Sequence, residues 1–302
     1  MIAQFLSQKE TVGIVMGLFF GIAARVYLLR TDYRQYPTYP HGKIIHMSLG
    51  VIAAALGAVA VPALFDKNYT AVTFLTVAAQ QFRDVRNMER QSLTQVDQME
   101  LVRRGASYIE GIAMVFEGRN YLVIFTSMMA SLFSLLFAWY WGAAAGLAAL
   151  FISVFFMTGK NMNQIVDIQT TDVRLEGPNL YVGNIYIMNV GLESDRELIA
   201  KQAIGLLAVP KGPDARVTIA NLGQRQAILH DLSTVLGVYR DSGEPALMPM
   251  AKLDLNSGTL GILVLPQIKD AAKAVAALKR VPVLESAVRM PTESAAGPHK
   301  EA

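Results

Sequence analysis

The chain has 302 residues, of which 53% are apolar and only 17% carry charge, and its mean hydropathy is +0.34. Soluble proteins carry about 25% charged residues, so this composition excludes an ordinary soluble two-domain protein. The net charge is +3 in residues 1–159 and zero in residues 160–302. The absence of cysteine excludes disulfides, thiolate metal sites and cysteine nucleophiles. We therefore expect a membrane α-helical N-terminal half followed by a globular C-terminal half.

Four apolar runs in the N-terminal half are close to the length that crosses a bilayer. An α-helix needs about 20 apolar residues to span a hydrocarbon core of about 30 Å. The first run lacks a small-residue cleavage site, so we expect it to remain as a span and not to be removed as a signal peptide. The four runs are residues 11–29, 44–65, 121–141 and 143–159.

A fifth apolar run, residues 69–82, is shorter than the other four. The distribution of Lys and Arg around it indicates whether it crosses the membrane. If it crosses, eleven Lys and Arg residues lie on one side of the membrane and two, Lys9 and Lys67, on the other. Positive charges concentrate on the cytoplasmic side. We therefore predict five spans, with the N-terminus outside and the C-terminal domain in the cytoplasm. The alternative is four spans with residues 69–82 as a re-entrant segment.

The polar segment between the third and fourth spans is free of Gly and Pro. Residues 83–104, which include Asp84, predict a cytoplasmic amphipathic helix that ends before Gly105. Ser107 and Glu110 then have the spacing of a helix-capping box. Glu110 is therefore either a structural cap residue or an acidic group at the inner mouth of the spans, where buried carboxylates usually serve a function.

The hexapeptide that follows carries a family resemblance. It consists of Tyr108, Ile109, Glu110, Gly111, Ile112 and Ala113. The chain resembles the YIEGIA family, which is named after this hexapeptide. The resemblance implies a protein of the bacterial cell membrane that is typical of endospore-forming bacteria, with a role in sporulation or in the spore. It marks Tyr108 and Glu110 as motif residues without assigning them a chemical step.

The C-terminal half, residues 160–290, predicts an α+β domain, and residues 291–302 predict a disordered tail. Alternating β-rich residues predict a hairpin of strands 165–175 and 180–190, followed by a helix over 193–209. The remainder has the order β-α-β-β-α-β, which is typical of a ferredoxin-like module. Its predicted elements are strand 216–220, helix 223–238, strands 246–255 and 260–266, helix 269–280 and strand 281–285.

Known cofactor and metal motifs are absent from the sequence. It contains no Gly-x-Gly-x-x-Gly, no Walker loop and no His-Glu-x-x-His, and its four histidines are scattered. His230 lies in a predicted helix, where a core or surface position is the expected one. We expect no cofactor, no metal site and no nucleic-acid partner.

One tripeptide, Asp241-Ser242-Gly243, matches the signature of aspartic peptidases, in which two carboxylates share a proton and activate water. A homodimer would supply two copies, and Asp84 or Glu110 is the other candidate for a second carboxylate. The layout also resembles a sporulation aspartic peptidase with five spans and a cytoplasmic domain. However, Arg240 and a predicted helix precede the motif, and Asp-Ser-Gly is common in turns.

Three functions remain open at this point. The first is a membrane-anchored regulatory protein of sporulation, whose cytoplasmic α+β domain binds a protein partner or a small ligand. The second is a membrane-embedded aspartic-type peptidase that acts on cytoplasmic proteins. The third is a transporter or channel subunit, which the near absence of ionisable residues from the predicted spans disfavours.

Overall fold

The structure, a computed structural model, describes residues 8–32, 40–155, 159–241 and 244–290. The predicted disordered tail, 291–302, lies outside the described residues. The chain forms two compact units. The first, called the helical unit here, comprises Met1–Gln91 and Ile112–Thr158, and the second, the α+β unit, comprises Ser92–Gly111 and Gly159–Ala302.

The described residues of the helical unit form five α-helices, and two of these, α3 and α4, also contribute residues to the α+β unit. They are α1 (Gln8–Asp32), α2 (Pro40–Phe65), α3 (Tyr69–Asp97), α4 (Ala106–Leu136) and α5 (Trp139–Phe155).

Among the described residues, three helical stretches are long and apolar enough to cross a membrane: Lys9–Arg30, Gly42–Phe65 and Ala106–Leu136. Helix α5 is apolar as well but has only 17 residues. The apolar part of α3 is continuous with a charged helix, which lowers its overall hydropathy. The apolar helices thus indicate association with a membrane, while the prediction of five spans is not confirmed.

Small and hydroxyl-bearing residues line the contacts between the helices. Ser127 donates a hydrogen bond to the carbonyl of Ala54 at 2.6 Å, and Ser131 donates one to the carbonyl of Ala58 at 2.9 Å. A Cβ atom on Gly21 would lie 2.6 Å from the Cβ of Ala54. Helices α1, α2 and α4 therefore approach one another at a distance that only small side chains allow.

Buried charged groups accompany this apolar packing, contrary to the expectation from the sequence. The Arg25 side chain is fully buried, its Nε donates to the carbonyl of His46 at 3.2 Å, and its guanidinium lies 5.0 Å from the Phe116 ring centre. His46 lies 3.3 Å from a carboxylate oxygen of Glu89, and Arg119 is 3% exposed. The sequence pattern missed these groups because Arg25, His46 and Arg119 lie near the ends of apolar runs and Glu89 lies in the polar segment 83–104.

A four-stranded antiparallel sheet forms the centre of the α+β unit, with strand order β1-β5-β9-β8. Its strands are β1 (Val166–Thr171), β5 (Ile204–Pro210), β8 (Met250–Leu253) and β9 (Leu260–Val264). A three-stranded sheet contains β2 (Val173–Glu176), β3 (Asn179–Val182) and β4 (Ile185–Asn189), and a short pair contains β6 (Arg240–Asp241) and β7 (Glu244–Pro245). The helices are α6 (Met162–Ile165), α7 (Glu193–Gln202), α8 (Pro213–Ala220), α9 (Leu222–Leu236) and α10 (Ala271–Arg280), followed by a 3-10 helix, Glu285–Ala287.

The central sheet is covered on both faces. Leu206 and Ile262 face the core that contains residues of α9 and α10, whereas Leu207 and Leu263 face the core that contains residues of β2, β3, β4 and α7. All five residues of β9 are buried for this reason. A strand buried on both faces appears in the sequence as a continuous apolar run, as this one does.

The predicted ferredoxin-like module over 213–285 is not confirmed. Residues 216–220 belong to helix α8, because Pro213 and Asp214 in its first turn favour a helix. The predicted helix 193–209 ends at Gln202, where the apolar strand β5 follows. Residues 281–285 form no strand of the sheet, and β1 occupies the edge beside β5.

Candidate functional site

The site is built on residues 98–111, which we call the motif segment and which lie wholly within the α+β unit. Two of its side chains, Tyr108 and Ile109, are each only 2% exposed. A buried tyrosine at the start of a helix indicates packing against a neighbouring element, and that element is α9.

The start of the motif segment is a loop closed by one carboxylate. Helix α3 ends at Asp97, before the predicted end at residue 104. The Asp97 carboxylate accepts hydrogen bonds from the backbone N–H of Arg104 at 2.6 Å and of Gly105 at 3.2 Å. The Arg104 guanidinium lies 3.2 Å from Glu100. These contacts stabilise a loop where helical periodicity alone predicts more helix.

Two side chains of α9 hold the backbone of the motif segment. Gln226 accepts a hydrogen bond through Oε1 from the N–H of Tyr108 at 3.0 Å, across 118 residues of chain. His230 contacts the carbonyl of Val102 through Nδ1 at 2.7 Å. Because a carbonyl oxygen only accepts hydrogen bonds, Nδ1 is the donor, which fixes the tautomer of the neutral ring.

Glycines permit this close approach. Gly105 has φ of +86°, a conformation that favours glycine, and a Cβ there would collide with the side chain of Gln226. A Cβ on Gly223 of α9 would lie 2.9 Å from the carbonyl oxygen of Ser107. A Cβ on Gly111, the glycine of the hexapeptide, would collide with the Ser286 hydroxyl. The motif glycine therefore marks a point of close packing.

Asp231 of α9 is the most perturbed acid of the site. It is half-buried and interacts electrostatically with Tyr108 and Arg104. Burial raises the pKa of Asp231 to about 6, although the positive charge of Arg104 acts in the opposite direction. The neighbouring His230 has a pKa below its ordinary value, because burial disfavours the protonated ring. The charge state of the site therefore changes near neutral pH.

The residues predicted from the sequence lie in several places. Glu110 is half-buried in the first turns of α4, and that helix begins at Ala106, so Ser107 lies inside it and is not the predicted cap residue. Asp84 is exposed on α3 in the helical unit.

The aspartate of the peptidase-like tripeptide lies in a short antiparallel pair. The backbone of Asp241 belongs to β6 and pairs with Glu244 of β7. Ser242 and Gly243 lie outside the described residues.

The last two hexapeptide residues, Ile112 and Ala113, are 4% and 0% exposed and belong to the helical unit.

Within the described ranges, no group of three or more His, Cys, Asp or Glu side chains is arranged to hold a metal ion. The arrangement around the motif segment is therefore one of packing, hydrogen bonding and a titrating carboxyl.

Sequence reasoning missed the residues of α9 that complete the site. Gly223, Gln226 and His230 lie on one face of the helix, at spacings of three and four residues. That face carries a glycine, an amide and a histidine where an ordinary surface helix carries charges. This pattern was the available signal, but it does not reveal which distant segment the face contacts.

Comparison with known proteins identifies the family. A protein-family model described as YIEGIA protein matches residues 13–294. The chain belongs to the YIEGIA family. It is similar to "Uncharacterized protein YphB" of Bacillus subtilis (strain 168), with 55% identity over 281 residues that cover 93% of this chain and 94% of that protein. No solved structure matches the chain. The family match includes residues of both units, so the YIEGIA relationship extends well beyond the hexapeptide.

We predict that Gly223→Ala weakens the attachment of the motif segment to α9. The added methyl group would meet the carbonyl of Ser107, and overpacking of this kind costs about 1–3 kcal/mol. Amide hydrogen exchange of residues 98–111, measured in the full-length protein, should accelerate about five- to thirtyfold, which corresponds to 1–2 kcal/mol. Gly212→Ala is the matched control, because a Cβ there has open space. Equal exchange in both variants would contradict the packing described here.

We predict that Asp231→Asn stabilises the protein at neutral pH. A carboxyl whose pKa is about 6 in the folded state and about 3.9 in the unfolded state contributes stability below pH 4 that is lost as pH rises through 6. The loss is at most about 3 kcal/mol, and the partial exposure of the side chain reduces it. Thermal unfolding of the variant should therefore occur at higher temperature than wild type at pH 7.5, with no gain at pH 4.

The control variant, Asp254→Asn, is expected to change the stability in the opposite direction. Hydrogen bonds from Ser257 lower the pKa of the exposed Asp254 carboxyl. Asp254→Asn should therefore lose stability at pH 7.5. An Asp231→Asn variant that melts like wild type at pH 7.5 would show that this carboxyl is not desolvated.

Proposed function

We propose that this protein is a membrane-anchored regulatory protein, whose α+β unit binds a cytoplasmic protein partner or a small ligand at the surface formed by α9 and the motif segment. The observation that carries the proposal is the contact between the family motif and α9, in which Gln226 accepts the N–H of Tyr108 and His230 donates to the carbonyl of Val102. Asp231 of the same helix supports it, because a carboxyl whose pKa is raised by burial next to a family motif is typical of a functional site.

The proposed location follows from charge and hydropathy. The apolar helices α1, α2 and α4 supply the anchor. Lys and Arg residues near the predicted spans favour a cytoplasmic α+β unit and an N-terminus outside the cell. The proposed role in sporulation rests on the resemblance to a family typical of endospore-forming bacteria.

A transport function is the second candidate, and the buried ionisable residues of the helical unit favour it. Arg25, His46 and Arg119 belong to helices that are apolar enough to cross a membrane, and ionisable residues in such positions often mark a pathway for ions or substrates. Loss of a small-molecule flux in a deletion strain would support this candidate.

Orientation is tested with a single cysteine, since the chain has none. Gln95 is exposed near the end of α3. In intact cells, Gln95→Cys should resist a membrane-impermeant maleimide and react only after the membrane is permeabilised. Labelling from outside would contradict the proposed topology, and the unmodified cysteine-free chain serves as the control for background labelling.

Function is tested in a spore-forming host that carries the wild-type gene, a deletion, Gln226→Leu or Asp241→Ala. Gln226→Leu removes the acceptor for the Tyr108 N–H, so we expect it to impair sporulation as the deletion does, while Asp241→Ala behaves like wild type. Quantitative mass spectrometry should show normal abundance of both variants and no selective accumulation of other proteins.

Two results would contradict the proposed function. If Asp241→Ala and the deletion accumulate the same few cytoplasmic proteins, the protein is an aspartic-type peptidase and those proteins are its substrates. If the deletion strain sporulates normally, the proposed role in sporulation is wrong.

A further inference from the structure

A cleft of about 440 Å³ opens in the α+β unit between the motif segment and the C-terminal half of α9. We call it the α9 cleft. Its volume lies in the range of small-molecule sites, about 300–1,000 Å³. The lining residues used in the argument below are Glu100, Val102, His230, Ser233, Thr234 and Gly237.

The charge of the cleft is negative. Among the described residues that line it, Glu100 is the one with a formal charge at neutral pH. The Arg104 guanidinium lies 3.2 Å from its Oε1 and 3.9 Å from Asp97, which orients the Glu100 side chain. That side chain remains 39% exposed. Two carboxylates and one guanidinium leave a net charge of −1 beside the opening.

The C-terminus of α9 adds acceptors to the same cleft. The last carbonyls of a helix lack partners within the helix and carry partial negative charge. Helix α9 ends at Gly237, which has φ of +71°, so its last carbonyls are those of the turn before this glycine. Ser233, Thr234 and Gly237 line the cleft, so the negative end of the α9 dipole lies beside it.

His230 supplies another acceptor. Its Nδ1 donates to the Val102 carbonyl at 2.7 Å, so in the neutral ring Nε2 carries the lone pair. Burial lowers the pKa of the ring and favours this neutral form. Leu101, Val102 and Val238 give the cleft apolar walls, against which an aliphatic stem would pack.

We propose that the α9 cleft binds a primary ammonium or guanidinium group carried on a short aliphatic stem. The acceptors are the Glu100 carboxylate, the terminal carbonyls of α9 and Nε2 of His230. This inference rests on the proposed binding function of the α+β unit and names the chemistry of what it binds. The cation comes from a free amine or from a Lys or Arg side chain of a partner, and both sources offer the same group.

The test uses full-length protein in phosphatidylcholine nanodiscs and isothermal titration with n-butylammonium, n-butylguanidinium and the neutral 1-pentanol. Saturable binding of at least one cation, and none of pentanol, is expected. Glu100→Gln should weaken the binding at least tenfold. The matched control is Glu193→Gln, in the first turn of α7, which should bind like wild type.

A second variant tests the same cleft in case Glu100→Gln fails to fold. Thr234 is exposed at the cleft, and Thr234→Lys would place an ammonium group there without altering Glu100. This variant should lose binding of the free cation while keeping the thermal unfolding temperature of wild type. Binding should also fall as pH drops and His230 becomes protonated.

The arms of the experiment separate the possible outcomes. A Lys- or Arg-containing peptide that binds at least a hundredfold more tightly than butylammonium identifies a protein partner, and equal affinity identifies a free amine. Absence of saturable cation binding, or unchanged affinity in Glu100→Gln, overturns the inference. If Gln226→Leu still impairs sporulation in that case, the proposed function stands and the cleft takes a different ligand.

Discussion

The contact between the backbone of the motif segment and one face of α9 is the constraint on which the site depends. Gln226 accepts the N–H of Tyr108 and His230 holds the carbonyl of Val102, so side chains of one helix satisfy the backbone of a segment more than 100 residues away. Such bonds form only where the two backbones approach closely, and Gly105 and Gly223 provide the space. The first residue of the family hexapeptide, Tyr108, therefore belongs to a segment that packs against α9.

This contact also creates the electrostatic character of the site. Asp231 interacts electrostatically with Tyr108, and burial raises the pKa of Asp231 to about 6. The same surface holds His230 in one tautomer and aligns the last turn of α9 with Glu100. A carboxyl whose pKa is raised by burial, next to the family motif, is unfavourable for the fold alone, which is why this surface supports the proposal of a binding site.

The sequence predicted correctly those helices and strands whose pattern of apolar and polar residues matches their burial in the folded protein. Helix α10 and strand β9 lie within the predicted ranges 269–280 and 260–266, and α9 begins one residue before its predicted start. Strand β5 was missed because its apolar run follows a helical pattern without a break. Tyr108 and Glu110 can be named from the sequence because they belong to the hexapeptide, and their role stays a prediction. Gln226 and Asp231 lie beside the motif segment through tertiary contacts that no local pattern encodes.

The most direct test of the contact is a photo-cross-link from within the motif segment. Leu101 lines the α9 cleft together with His230 and Val238. A diazirine analogue of leucine at position 101, in the full-length protein in native membranes, should cross-link within the chain to the peptide that contains residues 230–238. Cross-links to lipid or to other proteins alone would contradict the account, because the motif segment would then not lie on α9.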